Sequence, residues 1–307
     1  MTHDKSEGEA EPHRLVDPNR SREMSANHVH LINTLGITEL DSVFSHVEYH
    51  ISSVSPLLIT NDDIVYVTYN STHPQEGDWI GAYSPPEASV FTHSPVKFGY
   101  CGAHSTSTYL DTGVGQLAFN LTNLRSGVKF YYFTNGSDTP TVVANSTSIV
   151  QFENVNQPLR NRVVPTGDPN VFTFLWSSAT STQPTLKWGT KPGQYTYTVS
   201  ATSQSITKDS MCGGVATSFG FRDMGLIHTA NFTGLVTMNL SNTNVSYIFG
   251  DAATDDFSDD FQLFIPPLAG TQPPNRPTTV VLYADLGVGS SDNSYDTTGN
   301  ETILTLL

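Results

Sequence analysis

The chain has 307 residues, 37% of them hydrophobic and 14% charged, with 14 Lys plus Arg and a formal net charge of −15. A surface this acidic repels phosphate backbones, and its nearest approach to a basic patch, Arg14 to Arg22, is interrupted by Asp17 and followed by Glu23, which argues against nucleic acid as a partner. The longest apolar runs fall far short of the roughly 20 residues of a membrane-spanning helix, and low charge with abundant Thr, Val, Tyr and Phe favours strands over helix bundles.

Residues 1–40 read as a disordered polar tail, because through about residue 27 there is no periodic apolar position to offset the entropy of ordering. Met1-Thr-His-Asp-Lys has no apolar core like that of a secretory signal. From Val43 to Phe152, short alternating runs (Ile64–Tyr69, Gly115–Leu121, Val128–Phe133) are separated by turn chemistry at Asn61-Asp-Asp, Pro85-Pro86 and Asn135-Gly136. That spacing predicts a first β-sandwich over 41–155. Within it, Trp79 of Gly77-Asp-Trp-Ile-Gly is a surface carbohydrate platform on one reading; burial between the sheets is favoured, given the apolar area of the ring.

A second set of strands is expected in 156–268: Val171–Trp176, Thr185–Gly189, Ile227–Phe232 and Val245–Gly250. Tyr247 to Gly250 and Phe261 to Ile265 flank an acidic stretch and read as a hairpin, with an aromatic at the tyrosine-corner position of immunoglobulin-like sandwiches. The acidic positions Asp251, Asp255, Asp256, Asp259 and Asp260 lack the spacing of a calcium loop and read as a solvated turn. His228, on an alternating strand with no ligand-spaced neighbour, reads as structural. Cys101 and Cys212 have neither CxxC nor metal-knuckle spacing and read as buried small hydrophobes, a disulfide between them not being favoured.

Pro266-Pro267 and Pro273-Pro274 then form a stiff linker. Thr278–Ala284 is a continuous β-branched run suited to a strand buried on both faces, and Asp285-Leu-Gly follows it. After a polar loop containing Tyr295, Asn300–Leu307 opens a helix. Strand, loop and helix in that order begin an α/β domain over 278–307 that stops within its first turn, so the chain is expected to be truncated. Seven Asn-x-Ser/Thr patterns, at Asn70, Asn120, Asn135, Asn145, Asn231, Asn239 and Asn244, lean toward a secreted or lumenal glycoprotein. No Gly-x-Ser-x-Gly elbow and no Gly-Lys-Ser/Thr phosphate loop is present.

Three blocks carry a resemblance. Gly77-Asp-Trp-Ile-Gly-Ala-Tyr-Ser-Pro, then Met211-Cys-Gly-Gly-Val-Ala with Gly220-Phe-Arg-Asp-Met-Gly-Leu-Ile-His-Thr, and then Val280-Val-Leu-Tyr-Ala-Asp-Leu-Gly occur in the order of the larger, plant-type purple acid phosphatases. From about residue 40 onward the chain resembles the N-terminal part of that family. The resemblance implies a mainly β fold, two fibronectin type III-like sandwiches followed by the first strand and helix start of a calcineurin-like α/β metallophosphatase domain. It implies phosphate monoester substrates, iron with a second metal (Zn, Mn or Fe), and leaves the family's homodimer open.

In that family an Asp at the end of the first catalytic strand binds metal, so the resemblance assigns Asp285 as a ligand; Ala284 stands where the family usually has Gly. By spacing alone Asp285 is a turn residue. Tyr295 follows it too closely to be the chromophoric Tyr of the later Gly-Asp-x-x-Tyr motif. Two metals about 3.5–4 Å apart need several convergent ligands, and one carboxylate cannot hold a metal pair, so this chain alone is expected to be inactive and to bind none stably. Arg222 and Asp223 either place the second sandwich against a catalytic domain or form an exposed ion pair of little consequence. The rival reading of the whole is a non-catalytic binding protein built of two fibronectin-like domains, since fold alone assigns no chemistry.

Overall fold

The computed structural model describes residues 38–39, 48–102, 108–136, 140–168, 170–213, 217–235 and 237–267. The strand expected at Thr278–Ala284, Asp285, Tyr295 and the helix opening at Asn300–Leu307 lie outside the described residues.

In chain order the first half carries β1 (Thr38–Glu39), β2 (Tyr49–Ser55), β3 (Leu58–Ile59), β4 (Asp63–Ser71), β5 (Trp79–Tyr83) and β6 (Lys97–Tyr100). A single helical turn α1 (Tyr109–Thr112) then leads into β7 (Val114–Leu121), β8 (Lys129–Thr134), β9 (Thr141–Asn145) and β10 (Gln151–Phe152). One sheet runs β2-β4-β7 and the facing one β1-β9-β8-β5-β6. The period-two pattern of β4 explains the layer between them: Val65, Val67 and Tyr69 are buried while Ile64 and Tyr66 are exposed. β1 lies inside the stretch expected to be a disordered tail; its backbone pairs with β9 in parallel, Thr38 opposite Thr141.

β5 departs from simple alternation because every residue of Trp79–Tyr83 is buried. Ile80 and Ala82 face the layer between the sheets. Trp79 and Tyr83 point the other way, into a separate cluster with Phe133 and Val90. The expectation for Trp79 is therefore half corrected: it is buried, but on the outward face of its sheet, stacked on Phe133 at 3.9 Å. Its indole N–H donates to the Gly136 carbonyl at 3.2 Å. The sequence singled out no alternating run here; the loop after Tyr83, which supplies Val90, covers the strand's second face.

The second half carries β11 (Leu159–Pro165), β12 (Val171–Ser178), β13 (Pro184–Gly189), β14 (Tyr197–Ser200) and β15 (Thr202–Ser205). It ends with β16 (Leu226–Thr233), β17 (Thr243–Asp251), β18 (Asp256–Phe257) and β19 (Phe261–Ile265). One sheet is β11-β12-β16-β15; the other is β14-β13-β17, with β18 and β19 both paired to β17. Phe174, Trp176 and Phe232 from the first meet Leu186, Trp188, Tyr247 and Phe249 from the second. Edge-to-face packing of Phe174 on Tyr247 at 4.8 Å joins the layers. Two expectations change here. The Tyr247 hydroxyl accepts from the Asn161 side chain at 2.7 Å, not from nearby backbone, so it is no tyrosine corner. The acidic stretch is not wholly solvated: Asp251 is buried and Asp256 pairs in β18.

Gly81 sits between the rings of its neighbours, where a Cβ would come within 2.9 Å of the Trp79 ring and 3.0 Å of the Tyr83 ring. Gly81→Ala is expected to destabilise the first sandwich by about 1–3 kcal/mol through overpacking, read as a lower urea midpoint with unchanged slope.

Candidate functional site

The described residues that combine charge, burial and convergence from several elements lie at the junction of the two sandwiches. The β7–β8 loop builds its first half. Asn123 is buried; its side-chain oxygen accepts the Arg125 backbone N–H at 3.0 Å, and its amide donates to the Asn154 carbonyl at 2.8 Å. This local ring holds Arg125 at φ +70°, a left-handed conformation that a branched or long side chain rarely adopts without such support. From there the Arg125 guanidinium crosses to the linker and the second sandwich. Nη1 donates to the carbonyls of Val155 (3.2 Å) and Gln157 (2.6 Å), and Nη2 to the carbonyl and hydroxyl of Ser177, both at 3.0 Å. The linker is fastened further by Asn154 on the Asp256 carboxylate at 3.0 and 3.1 Å and by the Thr180 N–H on Asn156 at 2.8 Å.

Arg222 supplies the return contact from the loop before β16. Its Nη1 donates to the carbonyls of Phe219 (3.1 Å) and Phe221 (2.8 Å), and its Nη2 to the carbonyl of Ser94 in the first sandwich. The Ser94 N–H donates back to Phe219 at 3.1 Å. Asp223 accepts from the Gly225 N–H at 2.8 Å. The exposed ion pair is not what is found: Arg222 latches one sandwich to the other and Asp223 closes its own turn, while the residues expected to form a catalytic domain lie outside the described ones. Between the latches lies a cleft of about 300 Å³, lined by Ser84, Arg125 and Ser126 on one side and Ala179, Arg222 and Asp223 on the other. Burial lowers the pKa of Arg125 to about 10, helped by the Arg160 charge and opposed by Asp256. Burial likewise lowers Arg222, with Tyr83 opposing. Both remain cationic at neutral pH.

Three further polar centres are internal to the sandwiches. Asp78, fully buried, accepts from the Thr134 hydroxyl at 2.6 Å, the Gln75 N–H at 3.0 Å and the Tyr109 hydroxyl, which also meets the Tyr132 hydroxyl. Burial raises the Tyr69, Tyr109, Tyr132 and Cys101 pKa values, so all four stay protonated donors at neutral pH. Asp251 is pushed up by burial, but the Ser181 hydroxyl and the N–H groups of Thr182, Ala253 and Gln183 outweigh that and hold it down at about 2. His228 is fully buried between two hydroxyls, Ser178 at 2.8 Å and Ser203 at 2.7 Å, and beside the Trp176 ring. Its structural assignment is consistent with that setting. Among the described residues no group of three or more His, Cys, Asp or Glu is placed to hold a metal ion, and no helix is long and apolar enough to cross a membrane. Cys101 is buried as expected; Cys212 is exposed, contrary to expectation, and no disulfide joins them. Of the acceptor asparagines, Asn135, Asn145, Asn231, Asn239 and Asn244 are exposed and Asn70 and Asn120 half-buried on β4 and β7.

Residues 51–154 match the family model described as the Fn3-like domain from Purple Acid Phosphatase. A purple acid phosphatase isolated from yellow lupin (Lupinus luteus) seeds superposes with a TM-score of 0.69 and 27% identity, over 80% of this chain and 45% of that one. The chain belongs to the purple acid phosphatase family. Two relatives from Arabidopsis thaliana are named "Probable inactive purple acid phosphatase 1" and "Probable inactive purple acid phosphatase 27". The first is 30% identical over 76% of this chain and 40% of its own length, the second 27% over 89% and 47%. The chain thus spans less than half the length of these purple acid phosphatase relatives.

Within this N-terminal region, Arg222 belongs to a block that the sequence singled out, whereas Arg125 was missed. Its only local signal is the Asn two residues earlier, an Asx-turn former. Arg125→Met would leave the Val155, Gln157 and Ser177 carbonyls without their charged donor. It should cost on the order of 3 kcal/mol and split a single calorimetric transition into two as the sandwiches uncouple. Arg125→Lys should recover little, because an ammonium cannot present the planar fork; an unsplit transition at the wild-type temperature in both variants would contradict the clamp.

His228 gives a pH dependence of definite sign. Burial first, and the Arg125 charge after it, lower its pKa from 6.5 to about 4, with Asp251 opposing. The folded state therefore binds fewer protons than the unfolded one between those values. Its contribution is complete above about pH 6.5 and is lost as pH falls toward 4, a change on the order of 3 kcal/mol. The difference in urea stability between wild type and His228→Gln should shrink across that window and be flat above it.

Proposed function

We propose that the two latched sandwiches are the accessory unit of a phosphomonoesterase, a rigid mount for a catalytic domain that begins at the Thr278–Ala284 strand. The observation that carries this is the Arg125 clamp, which fixes the linker and both sandwiches through four hydrogen bonds, a construction suited to holding a following domain in a set direction. The family relationship supports a dinuclear iron centre, with Zn, Mn or a second Fe, in a complete protein. The donors in this sequence do not fit such a centre: of the family's ligand motifs it contains only the Asp285 position, and one carboxylate cannot hold a metal pair against water. Phosphate ester hydrolysis accordingly belongs to residues beyond these, with Asp285 as the first ligand.

A second reading is a non-catalytic interaction module, favoured by the names of the two Arabidopsis relatives. One experiment separates the two. The transcript is sequenced past the Leu307 codon, and the product of any continuing frame is assayed for bound metal and p-nitrophenyl phosphate hydrolysis beside the 307-residue chain. The enzyme reading expects the Gly-Asp-x-x-Tyr, Gly-Asn-His and later His motifs, metal and turnover in the extended product, with metal lost in Asp285→Asn. A continuing frame without those motifs, or a metal-free and inactive product, establishes the second reading instead.

A further inference from the structure

Among the described strands, all but one of those at sheet edges are blunted. β3, β10 and β18 have two residues each, β1, β6, β14 and β15 no more than four, and β19 five. β2 is broken by a register shift between Ile51 and Ser53, and β11 by one between Leu159 and Arg162. Short strands, bulges, charges and proline are the usual devices that keep a sheet from pairing with another chain. β7, the terminal strand of the β2-β4-β7 sheet, has none of them. It runs for eight residues, Val114-Gly-Gln-Leu-Ala-Phe-Asn-Leu, without charge or proline. Its ladder with β4 is unbroken from Asn70 opposite Val114 to Asp63 opposite Leu121.

The hydrogen-bond phase of that ladder decides which backbone groups are left over. The Ser71 N–H donates to the Gly113 carbonyl at 2.7 Å, one step beyond the paired residues. Antiparallel pairs alternate between hydrogen-bonded and open. Gly115, Leu117, Phe119 and Leu121 therefore turn their backbone groups toward β4. Those of Gln116, Ala118 and Asn120 point out of the sheet, and β7 pairs with no strand but β4. Leu117, Phe119 and Leu121 send their side chains into the core, which leaves Gln116, Ala118 and Asn120 on the outer face beside Ile64 and Tyr66. The outward positions of β2, β4 and β7 carry no Asp, Glu, Lys or Arg, in a chain of net charge −15. Ile64, Tyr66 and Val114 are exposed there.

We propose that β7 is a dimerisation edge, to which a second copy of this chain adds its own β7, antiparallel about a two-fold axis normal to the sheet. Two features select a second copy as the occupant. Rotation about such an axis keeps the buried faces of both copies on the same side, so their core layers become continuous. Two chains of net charge −15 repel wherever their carboxylates meet, and this uncharged face avoids that. The outward-pointing groups fix the register. With Ala118 opposite Ala118 of the partner subunit, Gln116 faces Asn120 of the partner subunit. Each facing pair then exchanges two N–H···O bonds. The small Ala118 side chain sits on the axis, where a larger one would meet its own copy. The inference is independent of the phosphatase reading, since no residue of β7 belongs to a metal-ligand motif.

The test is sedimentation equilibrium of the 307-residue protein, with Ala118→Lys and Ala118→Glu measured alone and as an equimolar mixture. The wild type is expected to dimerise with rising concentration. Each variant sets two like charges side by side on the axis and should weaken dimerisation at least about tenfold. The mixture should restore it, because position 118 then faces the opposite charge. Circular dichroism of both variants should match wild type, since the new side chains point away from the core. Gln204→Lys, on the short β15 edge, should leave the dimer intact. A wild type that stays monomeric, a dimer that survives in both Ala118 variants, a mixture that fails to recover it, or an equal loss in Gln204→Lys overturns the proposal.

Discussion

The placement of the two sandwiches depends on how one buried cation is satisfied. A guanidinium removed from water must have its donors met or the fold bears the loss. Arg125 meets four of its five with oxygens from the linker and from the end of β12, and none of those oxygens is a carboxylate. The geometry is strict because the group is planar and its acceptors come from Val155, Gln157 and Ser177. Moving the second sandwich relative to the first would break several bonds together. Asn123 makes the arrangement possible by holding the Arg125 backbone in a left-handed conformation, and Arg222 repeats the device from the opposite side with carbonyls of Phe219, Phe221 and Ser94.

The same rule governs the interior of each sandwich. Asp78, Asp251 and His228 are buried, and each is surrounded by hydroxyls or backbone N–H groups. A chain with 29 acidic residues and 14 Lys plus Arg cannot rely on ion pairing for most of its carboxylates. Its wealth of Ser, Thr and Tyr supplies neutral donors in their place. This is why the fold tolerates buried carboxylates at all, and why the histidine is kept neutral between two serines. Specificity of packing then follows from the aromatic layers: Trp79 on Phe133 in one sandwich, Phe174 on Tyr247 in the other.

The fastening of one sandwich to the other is polar: Arg125 reaches carbonyls of the linker and of β12, and Arg222 reaches back to Ser94 of the first sandwich. Both guanidinium groups line the cleft between the sandwiches.

The strands were legible in the sequence because alternation has a period of two wherever one face meets a core: Ile64–Tyr69, Gly115–Leu121, Val171–Trp176 and Ile227–Phe232 all fall in observed strands. The family-like blocks were legible too, as runs of residue types in a fixed order. What alternation cannot encode is which second surface will cover a strand. Trp79 was therefore assigned to the wrong side of its sheet, and Thr38–Glu39 to a tail. Nor can it reveal the partner of a polar side chain when donor and acceptor are far apart in sequence. Arg125 and Ser177 lie 52 residues apart and Arg222 and Ser94 lie 128 apart, so nothing local marks either pair. Asp251 looked solvated for the same reason, its donors coming from the Ser181–Gln183 turn about 70 residues earlier. The sequence by itself determined the two β layers and their kinship, which are written in short-range pattern and composition. The junction, its two uncompensated cations and the cleft between them were decided by tertiary structure, because long-range hydrogen bonds exist only once the chain has brought both ends of each bond together.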